Sequence, residues 1–202
     1  MELHEVPGYT EAVARVLSET EALRELAFTD FPVKILDLEV SQLTLRKFFL
    51  LACAGNPLLF GGNVGPEHVV QFLWVVSLDF DPDDVEKRDI FVQLAAEMHF
   101  ANTVSAIRKY CQDSLMDRPP ANANADPIES PTCWLAYFID RFASEYHWTE
   151  DQILDKPIAR LYQLLRQITL RENPRYKFIN SRLTLLEIEY ADKAEELEAQ
   201  KQ

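Results

Sequence analysis

Glycine is scarce, with five in 202 residues. Folds with many tight turns, and glycine-punctuated repeat arrays, need more than that. The three cysteines, Cys53, Cys111 and Cys133, are odd in number and far apart. They form neither a Cys-x-x-Cys pair nor a disulfide framework, which points to a reducing compartment. None of His4, His68, His99 and His147 has a His, Cys or carboxylate partner at a recognised ligand spacing, so no metal site is expected. The longest apolar stretch, near 69–78, is too short to span a bilayer. Met1-Glu2-Leu3-His4-Glu5 has neither the basic head nor the apolar segment of a signal peptide, and the cytoplasm is the expected location. Bases are outnumbered, 20 to 33, for a net charge of −13. Such a field repels phosphates and anionic lipid, so neither nucleic acid nor membrane is expected as a partner.

The chain is instead rich in bulky apolar residues. Its 48% hydrophobic content, with 12 Phe and 7 Tyr, suffices for a substantial core. Helical spacing predicts a first helix over 10–27, capped by Thr10, with Val13, Val16, Leu17 and Leu23 recurring. Residues 33–40 alternate imperfectly and read as a short strand or an extended connector. A helix over 42–54 is stopped by Gly55-Asn56-Pro57, and a glycine-rich loop follows to Gly65. Pro66 opens a helix to Ser77 that is apolar on nearly all sides and therefore central. The longest helix is expected over 83–115. Beyond the Pro-rich stretch, helices are expected over 131–145, 149–155 and 157–170, with a last one from about 180. Thr149-Glu150-Asp151-Gln152 fits a capping box. The fold class is thus all-α, a multi-helix bundle with at most a minor strand pair. Phe48, Phe72, Leu73, Trp74, Leu94 and Met98 are the expected core. Residues 1–116 form an N-terminal helical domain, 117–130 a Pro-rich linker, and 131–202 a C-terminal helical region, packed on the first or separate from it.

Catalysis finds little support. Cys133 and His147 are the one nucleophile–base pairing worth naming, but Cys133 beside Trp134 and Leu135 reads as an ordinary small core residue. Phe60-Gly61-Gly62-Asn63-Val64-Gly65 lacks both the Walker ending and the Gly-x-Gly-x-x-Gly spacing, and tight-turn geometry explains it better. Asp79, Asp81, Asp83 and Asp84 lack the Gly and Glu of a calcium loop and suit a solvated helix N-terminus. Neither an enzyme activity nor a cofactor is expected.

Charge is distributed unevenly. Residues 1–40 hold nine acids and three bases, whereas 155–182 hold seven bases and two acids. That asymmetry suits an acidic protein partner, a homo-oligomer built head to tail, or neutralisation within the chain. The expected partner-binding surface lies on 131–178. There Trp134, Tyr137, Phe138 and Phe142 form an aromatic stripe, and Leu161 and Leu165 mark one helix face. Arg160, Arg166, Arg171 and Arg175 supply positive charge. Periodicity alone leaves open whether these stripes are binding faces or simply pack against each other.

Two pieces of the chain carry a resemblance. The first runs Leu43-Thr44-Leu45-Arg46, Ala54-Gly55-Asn56-Pro57, Gly61-Gly62 and Val69-Val70-Gln71-Phe72-Leu73-Trp74-Val75-Val76-Ser77. The second runs Tyr146-His147-Trp148-Thr149, Ile153-Leu154, Pro157 and Tyr162-Gln163-Leu164-Leu165. In these pieces, which span about half the chain, the protein resembles the tail assembly chaperones of long-tailed bacteriophages. The resemblance implies a non-enzymatic factor of the host cytoplasm that binds the long, aggregation-prone tape measure protein. It would keep that protein soluble while the tail tube polymerises around it, and be absent from the finished particle. Some members of the family are also made in a longer, frameshifted form. A structural phage subunit of the neck, connector or baseplate is the alternative.

Overall fold

In the computed structural model, two distant segments meet at the centre of the molecule. Leu45 N–H donates to the Lys156 carbonyl (3.0 Å), and Ile158 N–H donates to the Leu43 carbonyl (2.8 Å). Helices α2 (Leu45–Cys53) and α9 (Ile158–Glu172) therefore start side by side. The Thr44 hydroxyl caps α2 by accepting from Lys47 N–H (3.2 Å), and Pro157, with no N–H to satisfy, opens α9. Arg46 at the start of α2 reaches Asp151 and Asp155, both at 2.8 Å, which fixes the approach to α9.

The structure describes residues 2–117, 133–178 and 180–199. Among them the fold is all-α, with one two-stranded antiparallel sheet. Helix α1 (Tyr9–Leu26) starts at Gly8 rather than Thr10, because Gly8 takes a left-handed φ of 83°. Strands β1 (Val33–Ile35) and β2 (Leu38–Val40) form a hairpin that pairs Val33 with Val40 and Ile35 with Leu38. Its turn holds Leu36 at φ 55°, a strained conformation for leucine. The 33–40 stretch is therefore a strand pair, with Ile35 and Val40 pointing into the core.

Gly55, at φ 66°, ends α2 as expected. The following loop contains an extra turn of helix, α3 (Pro57–Phe60), capped by the Asn56 carboxamide. Asn56 is fully buried. It accepts from Leu58 N–H (3.1 Å) and donates to the His68 carbonyl and Gln71 Oε1, both at 2.9 Å. Helix α4 (Pro66–Val76) is central, and Val69, Phe72, Leu73 and Val76 are buried in the core.

The long helix expected over 83–115 is two helices, α5 (Val85–Glu97) and α6 (Phe100–Ser114). Met98 and His99 between them are extended, with ψ 144° and 106°. The reason is length. A straight helix over 83–115 would run ~50 Å, whereas α4, which it must cover, is only ~16 Å long. The break lets α5 lie against α4 while α6 turns to bury Ile107 and set Tyr110 against Phe72 (ring centroids 5.9 Å). It also explains why Leu94 is exposed and Met98 only half-buried, unlike the other expected core residues.

Helices α7 (Trp134–Tyr146), α8 (Glu150–Leu154) and α10 (Ser181–Ala199) complete the described chain. Thr149 and Gln152 form the anticipated capping box. One hydrophobic core runs from Ile35 through Leu51, Phe72 and Ile107 to Phe142, Ile153, Leu161 and Ile168. Residues on both sides of the Pro-rich stretch thus share a single core. Asp117, assigned to the linker, is a buried carboxylate, while 118–130 lie outside the described residues, as does the proposed Ser130-Pro131 helix start.

Candidate functional site

Because α4 is apolar all round, burying one face leaves a second apolar face to cover. Helix α5 covers most of it, leaving Trp74 and Val75 only 5% and 7% exposed. Phe91 packs on the Trp74 ring (5.3 Å) and Phe80 closes its other edge (5.5 Å). The next line of α5, Arg88, Val92 and Ala96, recurs every four residues and stands away from α4, with Phe100 of α6 beyond it. Between the two sides lies a groove of about 890 Å³, with Val70, Trp74 and Val75 on one wall and Val92, Ala96 and Phe100 on the other. Its mouth is open: Val92 is 48% exposed and Phe100 43%. On the outer face of α5, Ile90 and Leu94 are exposed as well.

The helical hairpin that builds the groove is acidic. Residues 66–100 contain eight acids and two bases, a net charge of −6. Both bases have an acidic partner: Lys87 with Asp84 (3.3 Å) and Arg88 with Asp89 (3.6 Å). Asp84 also caps α5, and the Lys87 N–H it accepts holds its carboxyl below the usual range. Among the described residues, Asp79, Asp83, Glu86 and Glu97 have no cationic partner.

Comparison with protein-family models, curated proteins and solved structures finds no match in any of the three.

The stripe expected on 131–178 divides between surface and core. Trp134 and Tyr137 are exposed, the latter 52%, while Phe138, Phe142, Leu161 and Leu165 are buried together. Phe138 contacts the rings of Trp134, Phe142 and Tyr162. In this fold those two stripes pack against each other. The arginines divide similarly. Arg160 donates to the Ala27 carbonyl (2.7 Å) and lies over the Phe28 ring, and Arg171 pairs with Glu145. Arg175 stays on the surface.

Arg166 contributes to a buried cluster. Asp117 at the end of α6 accepts two hydrogen bonds from Arg24 of α1, both 3.1 Å, and pairs with Arg166 of α9 at 2.8 Å. Its side chain is 4% exposed. The Asp117 hydrogen bonds raise the Arg24 pKa, whereas burial lowers that of Arg166. Arg166 also lies 4.7 Å from the Phe178 ring centroid. This triad ties α1 and α9 to the residues just after α6.

A second, half-buried polar cluster surrounds Lys47. Its ammonium donates to Ser41 Oγ (2.8 Å) and the Ser77 carbonyl (2.9 Å), and burial lowers its pKa to about 8. Ser41 Oγ also lies 3.0 Å from the Val76 carbonyl, to which it donates. With its proton committed there, Ser41 is held as a structural link rather than as a nucleophile. Burial likewise pushes the Cys111 thiol up to about 12 and raises Tyr110 well above its usual value.

Cys133 and His147 cap opposite ends of α7 and so stand ~20 Å apart, out of reach of each other. Gly61 and Gly62 have φ of 85° and 128°, as a turn requires, and Gly65 N–H donates to His68 Nδ1 (2.9 Å) rather than to an anion. No group of three or more metal-ligating side chains occurs among the described residues, nor any helix long and apolar enough to cross a membrane.

The groove escaped the reading of the sequence. Its signal was the conflict between an all-apolar α4 and a following helix whose apolar residues fall on several faces.

Proposed function

We propose that this chain is a non-enzymatic protein-binding factor that acts as a phage tail assembly chaperone, holding the tape measure protein soluble during tail assembly. The groove between α4 and α5 carries the reading. A holding factor needs apolar surface for its client and enough net charge to keep the complex dispersed. The groove supplies the first and a net charge of −13 the second. The resemblance in the 43–77 and 146–165 segments supplies the identity of the client and the host cytoplasm as the place of action. Trp134, Tyr137 and Phe60 add a further exposed aromatic patch, since Trp134 and Phe60 both pack edge-on against Phe48.

Co-purification of a tagged copy with the tape measure protein of the same genome tests this, together with mass spectrometry of finished particles. The expected result is a soluble complex in lysate and no stoichiometric copy of this chain in particles. A stable particle component would favour a structural subunit instead.

A further inference from the structure

We propose that the groove between α4 and α5 takes a basic amphipathic helix of a partner protein. This rests on the reading of the chain as a protein-binding factor and adds the chemistry of what it binds.

Shape limits the occupant first. The walls are two helices, and the line of α5 that faces the groove, Arg88, Val92 and Ala96, repeats every four residues, so the complementary ligand is another helix with apolar residues at that spacing. The wall formed by α4 is ~16 Å long, which three turns of helix match. Trp74 backs the α4 wall, 5% exposed beneath Phe80 and Phe91, so the open apolar surface for an anchor is that of Val92 and Phe100.

Charge then selects among helices. The groove's own charged lining is balanced, Glu67 against Arg88, but the hairpin around it carries −6, and Asp79, Asp83, Glu86 and Glu97 on it have no cationic partner among the described residues. A helix with lysine or arginine outside its apolar stripe meets that field favourably, and an acidic one is repelled.

A second copy of this chain does not fit. Its exposed amphipathic helix is α10, where Leu185 and Ile188 face solvent, but α10 holds six acids and two bases. Four of the seven bases in its 155–182 stretch are engaged internally, Arg160 with Asp30, Arg166 with Asp117, Arg171 with Glu145 and Arg182 with Asp113. The exposed Arg175 and Lys177 lie beyond the end of α9 rather than on an amphipathic helix.

The test titrates the full chain with three synthetic peptides of about 14 residues. One has a leucine stripe at helical spacing and lysine elsewhere, the second has glutamate for lysine, and the third scrambles the first. Calorimetry reads binding, and the summed emission of Trp74, Trp134 and Trp148 follows it. The first peptide is expected to bind at least about tenfold more tightly than either control. It should weaken severalfold at roughly 0.5 M salt, and bind about tenfold more weakly to Val92→Asp. Val92 is half-exposed, so the variant should melt like the parent, and Leu185→Asp on α10 serves as a surface control.

Equal binding of the glutamate or scrambled peptide would overturn the proposal, as would full affinity in a folded Val92→Asp. So would light scattering showing a dimer that Val92→Asp dissociates, because the occupant would then be a second copy. A tape measure protein solubilised equally by the parent and by Val92→Asp would overturn the groove assignment and leave the chaperone reading intact. One solubilised by neither would defeat the chaperone reading, while peptide binding would still support the groove.

Discussion

Asp117→Ala should be among the most damaging single substitutions in this protein. The change removes the anion that Arg24 and Arg166 share, three polar contacts of 2.8–3.1 Å in a site where the carboxylate is 4% exposed. Breaking a buried ion pair from one side generally costs 3–5 kcal/mol, because the charge left behind loses its compensation. Two features soften this. Arg24 keeps Glu21 at 3.6 Å, and Arg166 keeps the Phe178 ring. The expected loss is therefore ~3–4 kcal/mol, a large part of a typical domain's stability. Urea unfolding followed by circular dichroism at constant slope measures it. Adding Arg166→Ala should be less damaging than the sum of the two single changes by ~2 kcal/mol, since the pair is coupled. A loss under ~1 kcal/mol with no coupling would refute the view that this triad ties α1, α6 and α9 together.

Trp74→Ala, which empties the contact among α4, Phe80 and Phe91, should cost ~3–5 kcal/mol in the same assay. Leu161→Ser should cost a similar ~3–5 kcal/mol, whereas Tyr137→Ser, at a half-exposed site, should stay within ~1 kcal/mol of the parent. Asn56→Asp should be strongly destabilising, because a carboxylate cannot donate to the His68 carbonyl and Gln71 Oε1. Lys47 gives a pH signature. Its pKa falls from 10.5 to about 8 on folding, so the folded state binds fewer protons between those values and this group's contribution rises with pH across that window. The full shift corresponds to ~3 kcal/mol, which solvent screening reduces to ~2 kcal/mol. Measured against Lys47→Met, the parent should gain that much between roughly pH 7.5 and 10.5; Cys111, raised to about 12, acts oppositely above pH 9 but equally in both proteins.

Much of this architecture was readable from local chemistry. The Thr149 capping box, the Gly55 stop, Pro66 at a helix start and the centrality of α4 all follow from side chains acting on their own backbone or from one apolar face. What escaped depends on partners distant in sequence. The break at Met98–His99 carries neither Pro nor Gly, and only the shortness of α4 requires it. Leu94 has core-like periodicity but lies on a helix that covers its neighbour with a different face. The 134–142 aromatic stripe had helical spacing whether it served a partner or α9, and the packing of Phe138 on Tyr162 is a property of the tertiary fold. Asp117 read as linker because an acid before Arg118-Pro119-Pro120 is ordinary until two arginines from elsewhere converge on it.

The central claim is tested most directly by the soluble yield of the tape measure protein expressed with and without this chain at matched levels. That yield is expected to rise with the amount of chain supplied, and the two proteins to elute together from a sizing column. An insoluble tape measure protein whatever the amount of this chain, with no shared elution peak, would contradict it.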